Sequence, residues 1–189
     1  MKPKIILIGA STGGPGHLKK ILSALPSSFN ASLIVAQHMN STFIPSFITQ
    51  FQSELSFKVH SIEHSLELKA SHIYFLPSNC VLEGHKTFLH VKPSPSTSAP
   101  YNPSVDILFL SALPFTKMSD MLAVLLTGIG NDGALGLSEL QKAGAQCIAE
   151  SEKTAIVYGM PKRAVEINPL IVSKDLDDII KTICTFGGA

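Results

Sequence analysis

Short apolar runs alternate along the chain with stretches predicted to be helical. The predicted strands lie at residues 4–8, 33–36, 121–126 and 146–149. The predicted helices lie at residues 16–25, 42–55, 134–143 and 174–183. Strands that are apolar almost throughout and alternate with helices are typical of a parallel sheet covered on both faces. The pattern therefore predicts an α/β fold.

The middle of the chain departs from this alternation. Three short apolar runs follow one another there, at residues 73–76, 81–83 and 87–91. Gly84-His85 is suited to a tight turn between the last two, so we expect an antiparallel hairpin inserted between the parallel units. The Pro- and Ser-rich residues 92–104 predict a surface loop, and Ser104 is placed to cap a helix at residues 105–112.

Composition and charge exclude several classes of protein. The length of 189 residues suits one domain, residues 1–189, with a core of its own. Hydrophobic residues make up 45% and charged residues 15%, against a usual charged share of about 25%, which argues against a disordered chain. A net charge of +1 gives no electrostatic basis for nucleic acid or an anionic membrane as a partner.

Targeting and redox signals favour the cytoplasm. No apolar run approaches the ~20 residues that span a bilayer, and the first run is too short for a signal peptide. Cys80, Cys147 and Cys184 are scattered, odd in number and without C-x-x-C spacing. They therefore indicate neither a disulfide framework nor a zinc knuckle, and we expect a cytoplasmic protein.

Residues 5–16 form the most informative stretch, Ile-Ile-Leu-Ile-Gly-Ala-Ser-Thr-Gly-Gly-Pro-Gly. The apolar run breaks into a glycine-rich turn that carries Ser11 and opens a helix, with Pro15 suited to its first position. Gly9, Ser11 and Gly13 satisfy G-x-S-x-G, the pattern that presents a serine nucleophile. Ser11 could also be an N-cap, because serine is a common residue just before a helix.

A dinucleotide-binding loop is another interpretation of the same turn. Gly9 and Gly14 take the outer glycine places of G-x-G-x-x-G, but Ser11 stands where the middle glycine lets the backbone approach a pyrophosphate. The acidic residue expected for the ribose is missing, because the second apolar run ends with Gln37 and His38. The nucleophile interpretation fits better, and a non-catalytic nucleotide-binding module is an alternative.

A further strand–turn–helix passage, residues 125–134, contains Asp132, which could simply complement the positive end of the following helix. In a parallel sheet, however, Ser11, His38 and Asp132 each follow a strand at the same edge. Hydroxyl, imidazole and carboxylate are the set in which His removes the serine proton and the acid orients the imidazole. We predict these three roles, with a serine hydrolase of small esters in general as a second alternative.

Five of the seven histidines lie between residues 60 and 90, namely His60, His64, His72, His85 and His90. The residues around 59–62 predict a short strand and turn rather than a helix that would align His60 with His64. No Cys or acidic residue completes a ligand set, so we predict neither a metal nor another cofactor.

Five motifs, in order over residues 4–183, resemble the catalytic domain of the bacterial chemotaxis protein-glutamate methylesterases, the CheB family. They are Gly9-Ala10-Ser11-Thr12-Gly13-Gly14-Pro15, Gln37-His38-Met39, Pro103-Ser104-Val105-Asp106, Leu125-Leu126-Thr127-Gly128 with Gly130-Asn131-Asp132-Gly133, and Tyr158-Gly159-Met160-Pro161.

The resemblance implies a Rossmann-like, doubly wound and mostly parallel sheet. It also implies hydrolysis of glutamate methyl esters on the cytoplasmic helices of chemoreceptors, with release of methanol, and in many relatives deamidation of receptor glutamines. By position, the nucleophile falls on Ser11, the base on His38 and the orienting acid on Asp132. Thr12 matches the family and is expected to help hold the site.

The sequence departs from the family pattern in two places. Ile129 stands where the family usually has Met; its backbone N–H is the expected oxyanion donor, which a change of side chain preserves. Many members also carry a receiver domain before the catalytic domain. This sequence reaches its first strand within about four residues, so we expect no receiver domain within it.

Overall fold

The computed structural model describes residues 2–85, 88–94 and 99–188. The strands of the described part are β1 (Lys4–Ala10), β2 (Ser32–Gln37), β3 (Lys58–Ser61), β4 (Leu66–Glu67), β5 (His72–Phe75), β6 (Cys80–His85), β7 (Phe88–Pro93), β8 (Asp120–Leu125), β9 (Gln146–Glu150) and β10 (Val172–Lys174). The helices are α1 (Gly14–Ser23), α2 (Ile44–Glu54), α3 (Val105–Ser111), α4 (Ala134–Lys142), α5 (Met160–Ile167) and α6 (Leu176–Gly187). Short 3₁₀ turns lie at Ser41–Phe43 and Leu113–Phe115.

Seven of these strands form one sheet in the order β10-β9-β8-β1-β2-β5-β3, and all neighbouring pairs run parallel. Strand β1 lies in the middle of the sheet. Strands β2, β5 and β3 lie on one side of it, and β8, β9 and β10 lie on the other. The connections therefore reverse direction at β1, and in open α/β sheets the crevice at such a point is where ligands bind.

Side chains are buried on both faces of this sheet, which explains why its strands are apolar almost throughout. Along β1, Ile5 and Leu7 pack with α3, α4 and α5, whereas Ile6 and Ile8 pack on the opposite face with α1, α2 and α6. The predicted doubly wound, Rossmann-like α/β fold is confirmed.

A small antiparallel sheet, in the order β4-β7-β6, contains the predicted hairpin. Two details of that prediction were wrong. Gly84 and His85 are not the turn but strand residues, paired with Leu89 and Phe88; the residues between the strands lie outside the described ones. The run at 73–76 belongs to β5 in the large parallel sheet, because it pairs with β2 and β3.

The loop before α3 is partly described, since residues 95–98 lie outside the described ones. Ser104 caps α3 as predicted: its hydroxyl accepts a hydrogen bond from the Ile107 N–H at 3.3 Å. The cap fixes where α3 begins, and that point becomes part of the site described below.

Among the described helices, none combines the length and the apolar character that crossing a bilayer requires. Cys80, Cys147 and Cys184 are all free thiols. Burial raises the pKa of Cys80 and of Cys147 to about 12, so both are present as unreactive thiols at neutral pH.

Candidate active site

The glycine-rich turn after β1 places Ser11 at the point where the sheet reverses direction. The Ser11 N–H donates to the Thr127 carbonyl at 3.0 Å, and the Ser11 carbonyl accepts from the Gly14 N–H at 2.8 Å. Gly13 has a φ of 86°, a left-handed conformation that favours glycine. Gly13 is also the N-cap of α1, with no side-chain hydrogen bond. The alternative that Ser11 is the helix cap was therefore wrong.

Neighbouring strands bring His38 to the same edge. Ala10 of β1 and Gln37 of β2 are the last residues in register, and the His38 N–H donates to the Ala10 carbonyl at 2.9 Å. Ser11 and His38 are thus the first residues beyond the ends of two paired strands. The imidazole Nε2 of His38 lies 2.7 Å from Oδ2 of Asp132.

The carboxylate of Asp132 is buried at the start of α3, with only 3% of its side chain exposed. It accepts hydrogen bonds from the Val105 N–H at 2.7 Å, the Asp106 N–H at 3.0 Å and the Ser104 hydroxyl at 3.0 Å. The interpretation that Asp132 complements the helix that follows it is corrected accordingly. The N-cap of that helix, α4, is Gly133, and no side chain caps it. The Asp132 carboxylate instead accepts hydrogen bonds from the backbone at the start of α3.

These contacts set the ionisation of Asp132. Burial acts to raise the pKa of Asp132, but hydrogen bonds from His38, Asp106 and Val105 outweigh it and lower the pKa below its ordinary value. An ionised carboxylate only accepts hydrogen bonds, so Nε2 of His38 carries the proton of the neutral ring. The other ring nitrogen, Nδ1, then keeps its lone pair and can take a proton.

Asp106 makes the reciprocal contact between the two helices. Its Oδ1 accepts from the Gly136 N–H of α4 at 2.7 Å, while Asp132, just before α4, binds the start of α3. Burial raises the pKa of Asp106, the Gly136 N–H opposes the rise, and the nearby charge of Asp132 adds to it. Asp132 is thus held by the start of a helix that is itself anchored to α4.

Tyr101 covers the imidazole, a contact that no sequence motif predicted. Its ring stacks on His38 with centroids 4.6 Å apart and an angle of 6° between the planes. A Cβ on Gly130, which has a φ of 91°, would lie 2.4 Å from the Tyr101 hydroxyl oxygen. A lone aromatic in a Pro-rich loop carries no local signal of this contact.

A buried pair of side chains, Glu150 and His17, supports the segment after β8. Glu150, which is 0% exposed, accepts from the Thr127 N–H at 2.8 Å, and its carboxylate lies 3.2 Å from Nδ1 of His17. Thr154 donates its hydroxyl to the other carboxylate oxygen at 2.9 Å. The signal for Glu150 was present, since it is an acid directly after the predicted strand 146–149, at the same edge as Ser11.

The two predicted supporting residues lie in the Ser11 turn or next to it. The Thr12 carbonyl accepts from the Thr127 hydroxyl at 2.8 Å, which ties the turn to the segment after β8. Ile129 follows Gly128, where an added Cβ would lie 2.7 Å from Cβ of Ser11. The Ile129 side chain is 60% exposed. Its role as an oxyanion donor stays a prediction.

Two of the clustered histidines do meet. Nε2 of His60 lies 3.0 Å from Nδ1 of His72, and burial lowers the pKa of each ring. Among the residues that the structure describes, no three His, Cys, Asp or Glu side chains gather closely enough to hold a metal ion. The His85 side chain lies outside the described side chains.

Comparisons with known proteins show the family of this chain. A family model described as CheB methylesterase matches residues 6–183. The chain belongs to the CheB methylesterase family. The crystal structure of the Thermotoga maritima CheB methylesterase catalytic domain superposes with a TM-score of 0.87 at 30% identity, covering 98% of this chain and 99% of that one.

Curated relatives of the CheB family extend the comparison. A protein-glutamate methylesterase/protein-glutamine glutaminase of Desulfitobacterium hafniense is 35% identical over 86% of this chain and 42% of its own length. A second from Carboxydothermus hydrogenoformans is 39% identical over 86% and 48%, and one from Vibrio vulnificus is 33% identical over 96% and 53%. The chain thus spans about half the length of the curated relatives it matches.

Proposed function

We propose that this chain is a serine hydrolase that removes methyl groups from glutamate methyl esters on the cytoplasmic helices of chemoreceptors. One observation carries the proposal: the 2.7 Å hydrogen bond from His38 to the buried Asp132, at the strand end beside Ser11. Membership of the CheB family supports the choice of substrate, because the matched relatives bear the name protein-glutamate methylesterase/protein-glutamine glutaminase.

The reaction is a two-step acyl transfer. As Oγ of Ser11 attacks the ester carbonyl, Nδ1 of His38 takes the hydroxyl proton and Asp132 stabilises the imidazolium that forms. The C–O bond to the methoxy group breaks, and methanol leaves with that proton. Water then attacks the acyl-serine, again with His38 as base, and frees the glutamate carboxylate and the Ser11 hydroxyl.

Backbone N–H groups at the start of α1 and at Ile129 stabilise the oxyanion, and Thr12 holds the turn in place through its carbonyl. Loss of one oxyanion donor typically lowers the rate ~10²–10³-fold. The hydroxyl, imidazole and carboxylate supply the whole reaction, so the proposal includes no metal and no other cofactor.

The same acyl-enzyme could form from a glutamine amide with ammonia as the leaving group, so deamidation is included in the proposal. We further propose that residues 1–189 act as one catalytic domain in the cytoplasm, where the receptor helices are. The three free cysteines suit that compartment.

The test is release of methanol from membranes that carry methylated receptor. The intact chain should release methanol, and Ser11→Ala should lower kcat by at least about 10³-fold with its fold retained. Ser53→Ala is the matched control, because this exposed hydroxyl donates within its own helix, to the Gln50 carbonyl at 2.8 Å. Near-normal kcat in Ser11→Ala would contradict the assignment of the nucleophile.

Two outcomes would favour the alternatives. Hydrolysis of p-nitrophenyl esters with none of methylated receptor would indicate a general small-ester hydrolase. Thermal stabilisation by a nucleotide with no ester hydrolysis would indicate a nucleotide-binding module.

A further inference from the structure

Gln37 lies between the backbones of the two residues that exchange the proton. It is the last residue of β2 and is only 5% exposed. Its carboxamide Nε2 donates to the Ser11 carbonyl at 2.9 Å and to the His38 carbonyl at 2.9 Å. Both N–H groups of this carboxamide thus donate to the backbone carbonyls of the proposed nucleophile and base.

The orientation of this carboxamide follows from its partners. Carbonyl oxygens only accept hydrogen bonds, so the nitrogen of Gln37 must face them and the oxygen must point away. In that direction Oε1 is buried and has no hydrogen-bond partner among the residues that the structure describes. It packs against Gly14, where an added Cβ would lie 2.0 Å from it. A buried acceptor without a partner lowers stability, so the presence of glutamine at this position calls for an explanation.

The regular pairing of β1 with β2 does not supply this link. The last backbone bond between them runs from the His38 N–H to the Ala10 carbonyl. One residue further on, the Ser11 N–H donates to Thr127, on the β8 side, so the backbone of Ser11 has left β2. Beyond that point, the Gln37 side chain is what connects the Ser11 backbone to the end of β2.

We propose that Gln37 is a positioning residue, which ties the Ser11 backbone to the His38 backbone and so sets the approach of hydroxyl to imidazole. The inference rests on the proposed function, since it assigns Gln37 a part in the same proton transfer. Gln37 itself contacts no reacting atom. Its loss should therefore slow the chemical step and leave substrate binding alone.

The experiment uses two variants of Gln37 in the full chain. Gln37→Met keeps the length and removes the donors together with the unpartnered oxygen; Gln37→Glu keeps the shape and turns oxygen toward the two carbonyls. For both, kcat should fall about 10–100-fold with KM within about twofold, because small misplacements of reacting groups cost up to ~10² in rate. Gln37→Met should keep its melting temperature within a few degrees, since the acceptor without a partner is gone as well.

Asn168→Asp is the matched control for loss of a buried carboxamide. Asn168 is 6% exposed and donates to Oε1 of Gln141 at 3.1 Å, away from the site. Its substitution should lower the melting temperature and leave kcat unchanged. A folded Gln37→Met with unchanged kcat, or with a raised KM alone, would overturn the positioning role.

A second measurement separates this inference from the proposed function. Phenylmethanesulfonyl fluoride sulfonylates an activated serine with loss of fluoride, and mass spectrometry of the intact chain reads the rate, with Ser11→Ala as the blank. If receptor ester is not a substrate, labelling of Ser11 should still be at least 10-fold slower in both Gln37 variants. Labelling at the wild-type rate in the variants would overturn the inference. Wild-type Ser11 reacting no faster than Ser53 would overturn both proposals.

Discussion

The carboxylate of Asp132 accepts four hydrogen bonds, and each oxygen faces two donors. In Asp132→Asn the amide nitrogen must face two donors whichever way it turns: facing His38 it reverses the contact that orients the ring, and facing the Asp106 N–H it weakens the hold on α3. In both orientations the negative charge that stabilises the imidazolium is lost. We expect kcat for ester hydrolysis to fall about 10²–10⁴-fold. Asp178→Asn, at an exposed acid paired with Lys181, is the control and should keep kcat within about twofold.

The two aspartates at the α3–α4 contact should respond to pH with opposite sign. The pKa of Asp132 is lowered in the folded chain, so its stabilisation is complete above its ordinary value of 3.8 and is lost as the pH falls further. The pKa of Asp106 is raised by burial, so its protonated form favours folding below 3.8 and that stabilisation is lost as the pH rises through the raised value.

Urea unfolding at pH 7 and at pH 3 checks this expectation. The free energy of unfolding of the wild type should exceed that of Asp132→Asn by more at pH 7 than at pH 3. The free energy of unfolding of the wild type, minus that of Asp106→Asn, should be larger at pH 3 than at pH 7. Equal differences at both pH values for either variant would contradict the signs assigned here.

At the scale of elements, the turn between β1 and α1 demands glycine for reasons of space as well as conformation. A Cβ at Gly14 would lie 2.0 Å from Oε1 of Gln37, whereas one at Gly16 would meet nothing within 4 Å. Gly14→Ala should lower the free energy of unfolding by about 1–3 kcal/mol and reduce kcat, because Gln37 is displaced. Gly16→Ala, within the same helix, should raise stability by about 0.5–1 kcal/mol and leave kcat unchanged. Thermal unfolding of both variants, alongside their kcat, decides the matter.

At the scale of the whole molecule, Glu150 joins β9, α1 and the segment after β8. Removing its side chain leaves the buried His17 ring, the buried Thr127 N–H and the partly buried Thr154 hydroxyl without this partner. We expect Glu150→Ala to lower the free energy of unfolding by about 2–5 kcal/mol. Glu139→Ala, which breaks an exposed ion pair with Lys142, should change it by less than about 1 kcal/mol. Chemical denaturation curves of the two variants make the comparison, and similar losses would contradict a supporting role for the buried pair.

The sequence by itself determined the α/β class and the positions of Ser11, His38 and Asp132. Apolar runs and turn residues are local signals, and parallel strands place the residues that follow them at one edge whatever the strand order. The same local signals misplaced the turn at Gly84-His85, because the length of a hairpin strand depends on its partner.

Only the tertiary structure decided how those residues are held. Folding brings together the groups in three contacts: the stack of Tyr101 on His38, the hydrogen bonds of Gln37, and the contact of Asp132 with α3. No periodicity in the sequence marks such contacts. The strand order that puts β1 between β2 and β8 is likewise a global property, since it follows from how two layers of helices cover one sheet.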